Sequence, residues 1–148
     1  MRRCVRGFTL VELVTVMIVV GILAAVAIPR MDTGAYHAAQ FHDQTVAALR
    51  FAQKSAVSHR RLVCVTFPDT STLRVTIEGS LKSGVCGAAA LDLPLPGATG
   101  NTVHSDRAGF TALPATLNFD SQGRSGGGVL AVKDAAQITV VAETGYVQ

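Results

Sequence analysis

The chain has 148 residues, about one domain's worth, and is 49% hydrophobic, 16% charged and 5% aromatic, with no Trp. These proportions exclude a disordered chain, a total of six Glu and Lys excludes a coiled coil, and three Cys are too few for a disulfide-framework miniprotein. The formal charge of +3 belongs to Arg2, Arg3 and Arg6: thirteen cations less these three leaves ten, matched by ten acids, so residues 8–148 carry no net pull toward polyanions.

The mean hydropathy of +0.37 is high for a soluble domain, and the excess is concentrated near the N-terminus. Residues 8–28 read FTLVELVTVMIVVGILAAVAI, with Glu12 as the one charge. As a helix rising ~1.5 Å per residue they reach about 31 Å, enough for a hydrocarbon core of roughly 30 Å. Three Arg precede the segment and only Arg30 follows closely, which orients the N-terminus toward the cytoplasm. The ordinary alternative is a secretory signal peptide. It fits less well, because the apolar run is long and a helical pattern continues past Arg30. A lone carboxylate in such a run also costs a few kcal/mol unless it finds a partner.

A second helical pattern runs from about Ala35 to Ser58. Phe41, Thr45, Ala48, Leu49, Ala52 and Ala56 share one face, while Gln40, Asp43, Gln44, Arg50 and Lys54 lie opposite. The spacing predicts a continuation of the first helix that packs its apolar stripe on a head. After His59-Arg60-Arg61 the period becomes strand-like. Residues 62–67 and 72–78 predict a hairpin across Pro68-Asp69-Thr70-Ser71. Residues 79–114 are rich in Gly, Ala and Pro and predict a long excursion with one short strand. Further strands are expected at 116–119, 129–132 and 138–141, with a last one at Tyr146-Val147. A helix followed by antiparallel strands gives an α+β fold.

The stretch Arg6-Gly7-Phe8-Thr9-Leu10-Val11-Glu12-Leu13 resembles the prepilin-peptidase site of type IV pilins and of type II secretion pseudopilins. The resemblance implies cleavage between Gly7 and Phe8 and N-methylation of Phe8. It further implies that Glu12 pairs with the N-terminal amine of a neighbouring subunit in a filament, which gives the carboxylate its partner. Pro29 matches the family's helix-weakening Pro and should kink the helix. The helix, the early hairpin and Leu117-Asn118-Phe119-Asp120-Ser121-Gln122-Gly123-Arg124 resemble H-type minor pseudopilins and FimT-type minor pilins. Residues 47–56 and 63–65 resemble minor pilins of mannose-sensitive haemagglutinin pili.

The organisation implied is a cleaved basic leader (1–7), a transmembrane and filament-core helix (8–29), an amphipathic helix continuing into the head (30–58) and a β-rich periplasmic head (59–148). With the head in an oxidising compartment, Cys64 and Cys86 are read as a disulfide, the alternative being two unpaired thiols; Cys4 leaves with the leader. His37, His42, His59 and His104 show no metal spacing, and His104-Ser105-Asp106 holds the letters of a triad whose neighbours in sequence point apart. Gly126-Gly127-Gly128 lacks the Lys and helix of a phosphate cradle. No catalytic set, metal or cofactor is therefore expected.

The implied function is a minor pilin or pseudopilin of the inner membrane, with the peptidase/methyltransferase, an inner-membrane assembly platform and other pilins or pseudopilins as partners. The competing reading is a tip module binding DNA or a surface. It would need clustered cations, and beyond Arg124 the one tight pair is Arg60-Arg61.

Overall fold

A computed structural model describes residues 7–27, 33–80, 84–87 and 89–148. Pro29, the leader arginines and Cys4 lie outside the described residues, so the kink at Pro29 and the continuity of the two helices lie outside them too. The chain divides into two compact units, residues 1–33 and 34–148.

The first unit holds α1, Leu10–Ala27. Thr9 caps it: its Oγ1 accepts the Glu12 N–H at 3.2 Å, and its carbonyl accepts the Leu13 N–H. Every side chain from Leu10 through Ala25 is exposed. The helix has 18 residues, a rise of about 27 Å, shorter than the 21-residue segment read from sequence because Phe8 and Thr9 precede the first turn and residues 28–32 are not described. Among the described residues no helix is long and apolar enough to cross a membrane. The spanning helix expected over 8–29 extends past the described part of α1, which ends at Ala27.

The second unit is built on α2, Thr33–His59. Its six predicted stripe residues are all buried, and Ala38 and Ser55 join them. Thr45 tolerates burial because its hydroxyl donates to the Phe41 carbonyl at 2.8 Å. The helix stops in a Schellman arrangement: Arg61 N–H reaches the Ala56 carbonyl and Arg60 N–H the Val57 carbonyl, with Arg60 left-handed at φ 52°.

Among the described residues seven antiparallel strands follow: β1 Val63–Asp69, β2 Thr72–Ile77, β3 Leu91–Asp92, β4 Thr102–His104, β5 Leu117–Phe119, β6 Gly128–Ala131 and β7 Gln137–Val140. In the larger sheet β1 lies between β2 and β5, while β3 and β4 share the far edge of β2. β6 and β7 form a second sheet, extended by a single bridge from Val140 to Val147. The hairpin is confirmed, with its turn narrowed to Thr70-Ser71. Pro68, lacking a donor, falls where the register shifts between Thr66 and Asp69. The described residues of the excursion over 79–114 hold two strands instead of one. Both are two or three residues long, too short to show a period, and exist because β2 offers them an edge.

Side chains from both sheets meet the α2 stripe in one core. Phe110 stands edge-to-face with Phe41 at 5.1 Å and with Phe67 at 5.3 Å between ring centres. The fold is α+β, as the sequence predicted.

Candidate functional site

In the first unit, Gly7 has open space where a side chain would stand, and Phe8 is 77% exposed. Glu12 occupies the third position of α1, exposed on its first turn. An acid there sits well against the partial positive charge of a helix start. Thr9 and Glu12 have capping-box spacing, and the threonine half of the box is formed. Beyond them α1 is apolar on all sides: Leu10, Val11, Met17, Ile22 and Leu23 are each more than 60% exposed. A helix greasy all round is stable only when lipid or other helices cover it.

In the second unit the disulfide joins Cys64 of β1 to Cys86, with Cα atoms 6.1 Å apart. It staples the central strand to the 79–90 loop, as the sequence predicted. Sequence reasoning missed Glu78, which is 2% exposed and whose carboxylate accepts the N–H groups of Leu62 at 3.1 Å and Gly84 at 2.9 Å. Strict alternation along β2 points Ile77 inward and Glu78 outward, so no sequence signal marked it. Arg50 was read only as part of the polar side of α2, and Gln53 was not singled out. Arg50 donates to the Val147 carbonyl at 3.0 Å, and Gln53 donates to the carbonyls of Gly123 and Thr144. They bind the chain's last residues and the 120–124 loop to α2. Gly145 meets that loop with φ 64°, and a Cβ there would collide with the Gly123 carbonyl.

The cations considered for nucleic acid are largely engaged. Arg124 Nε pairs with Asp120 Oδ2 at 2.8 Å, and Arg61 reaches the Glu78 carbonyl at 3.4 Å. Partial burial would raise the Asp120 pKa. The backbone N–H and guanidinium of Arg124 and the N–H of Gln122 outweigh it and hold the carboxyl below the usual value. Asp69 is lowered too, through the hydroxyl and N–H of Ser71.

The histidines are dispersed. His37 Nε2 accepts from Arg107 Nη1 at 3.1 Å, since a guanidinium only donates, and His42 lies 3.0 Å from Asp43. His104 bridges Thr72 at 2.9 Å and Asp106 at 3.0 Å. Ser105 turns away to accept the N–H groups of Arg107 and Ala108, so the three neighbours read from sequence do not converge. Among the described residues no group of three or more His, Cys, Asp or Glu is placed to hold a metal. A cleft of about 370 Å³ between α2 and residues 95–104 gathers Gln44, Ala47, Leu95, Thr99 and His104, whose imidazole is already engaged.

The family described as "Prokaryotic N-terminal methylation motif" matches residues 2–28. The chain is 33% identical over 135 residues to the type IV major pilin protein PilA of Myxococcus xanthus (strain DK1622). That match takes in 82% of this chain and 61% of the relative, so the chain spans about three-fifths of that protein's length. Among solved structures, the type IV minor pilin FimU of Pseudomonas aeruginosa (strain PAO1) superposes with a TM-score of 0.47 at 15% identity, covering 80% of this chain and 90% of that one.

Proposed function

We propose, on the premise that this chain belongs to the type IV pilin family its N-terminal motif and its relative support, that it is a minor pilin or pseudopilin with a structural role. The observation that carries this reading is the junction at Gly7-Phe8. An open glycine and an exposed Phe precede a capped helix that is apolar on every face. In this reading a prepilin peptidase removes residues 1–7 and methylates the new amine of Phe8. The apolar stretch 8–28 anchors the precursor in the inner membrane as a single pass, head outside the cytoplasm. It then passes into a helix bundle shared with other pilins.

Glu12 supplies the register. In a bundle depleted of water an unpaired carboxylate is costly, and the amine of a neighbour's Phe8 offers the opposite charge. Assignment to the minor class rests on the 117–124 segment, which folds into the Asp120-centred loop that α2 grips through Gln53. The role is non-enzymatic. DNA is not the favoured ligand, because residues 30–148 carry ten cations against nine acids and Arg124 is spent on Asp120.

Intact-mass analysis of the membrane-extracted protein tests the reading. It should show loss of residues 1–7 and one added methyl on Phe8; a mature N-terminus after Ala27 overturns it. Glu12→Ala should insert into membranes at least as well as the parent yet enter filaments poorly. Assembly equal to the parent would remove the pairing with the Phe8 amine.

A further inference from the structure

The head holds a buried carboxylate that is bound to backbone two residues before each cysteine of the Cys64–Cys86 disulfide. Glu78 follows β2 directly and continues the β1–β2 ladder, its N–H donating to the Leu62 carbonyl at 2.8 Å. Its side chain is shielded from water at 2% exposure. Both carboxylate oxygens are taken by backbone donors from two chain segments: Oε2 by Leu62 N–H at 3.1 Å and Oε1 by Gly84 N–H at 2.9 Å. A carboxylate withdrawn from water demands such donors, so its burial and the seating of those segments are one event. Leu62 is two residues before Cys64 and Gly84 two residues before Cys86. Cys86 Sγ also lies 4.0 Å from the Leu62 carbonyl, against the same strand start.

We propose that Glu78 is the positioning residue for the Cys64–Cys86 bond: by holding Gly84 against the start of β1, it seats the Cys86 thiol beside Cys64 before the bond closes. Cys64 is fixed by the ladder on both sides, opposite Thr76 and Asn118. The remaining freedom is that of the chain leading to Cys86. With β1 and β2 paired, the part of the 22-residue separation still to be ordered before Cys86 begins at Glu78, and β3 holds its far side at Leu91. With Gly84 seated, two residues of slack remain, and the local concentration of one thiol about the other rises accordingly.

Closing the bond takes one electron and one proton from each thiol. The acceptor is an external small-molecule disulfide: one cysteine thiolate displaces half of it and forms a mixed disulfide. The second thiolate then displaces the other half, and the two released thiols carry away both electrons and both protons.

The test uses the full chain in detergent micelles, reduced and then equilibrated with mixtures of reduced and oxidised glutathione. Alkylation and peptide mapping read the Cys64–Cys86 bond apart from Cys4. Glu78→Gln keeps one acceptor oxygen and should lower the effective thiol concentration about tenfold, and Glu78→Ala by on the order of a hundredfold. Leu73→Ala, a core truncation elsewhere in the head, should leave it within about threefold while the reduced head stays folded. Parent-like values in both Glu78 variants overturn the proposal.

Should Glu78→Ala fail to fold, amide hydrogen exchange in a Cys64→Ser, Cys86→Ser protein decides. The Gly84 and Leu62 amides should stay protected with no disulfide present, and adding Glu78→Gln should release at least one of them. Exchange of Gly84 at the free-chain rate while Glu78 is intact would show that the bond seats the loop and not the carboxylate.

Discussion

The two helices of this chain, 18 and 27 residues long, solve the problem of burying apolar surface in opposite ways. α1 leaves every side chain from Leu10 through Ala25 exposed, so within its own unit it gains nothing from the hydrophobic effect. α2 is amphipathic and puts Phe41, Leu49 and four alanines into the core. α2 is thus completed within its own unit, whereas α1 finds no apolar cover in its own. A change on α2 should be read in folding, and one on α1 in insertion or assembly.

The strongest test of this division is a matched pair of truncations. Leu49→Ala removes a fully buried side chain from α2 and should cost the head about 3 kcal/mol in denaturant unfolding. Ile18→Ala, at a site 57% exposed in α1, should leave the same transition within ~0.5 kcal/mol. Equal losses would break the comparison, since they would mean that the head depends on α1.

A smaller effect is expected at the end of α2. Arg60 holds a left-handed conformation that L-residues adopt at a cost, so Arg60→Gly should raise head stability by up to about 1 kcal/mol. A loss instead would mean that the arginine side chain contributes more than its backbone costs.

The smallest effect is electrostatic. Asp120 has its folded pKa lowered, so its contribution is complete above the unfolded carboxylate value of ~3.9 and is lost as pH falls through the lower folded value. Asp120→Asn should therefore flatten the acid end of the head's pH–stability profile, beginning near pH ~4. A profile parallel to the parent's down to the acid transition would remove the Asp120 loop from that account.

The alternation of apolar and polar residues at 3.6 and 2 residue periods was enough to find α2, its buried face and the β1–β2 hairpin. Those elements are set by local pattern: slipping any of them would turn Leu49 or Val65 out to water. β3 and β4 were not legible in the same way, because two or three residues carry no period and their pairing is decided by the free edge of β2. The clamps made by Arg50 and Gln53 were invisible for a related reason. A polar residue on the outer side of a helix looks alike whether it meets water or a carbonyl 70 or more residues further along.

By itself the sequence determined the basic residues Arg2, Arg3 and Arg6, the Gly7-Phe8 step and the apolar run behind it, since charge and hydropathy are properties of a contiguous stretch. It also determined that Cys64 and Cys86 were the pair to expect. Only the tertiary structure decided that Glu78 is buried, because whether a carboxylate is shielded depends on which N–H groups the fold brings to it. The same holds for Arg124. Its charge reads as available in the sequence, and a loop that turns back on Asp120 neutralises it at 2.8 Å. Charge is written in the chain, but its partner is chosen by the fold.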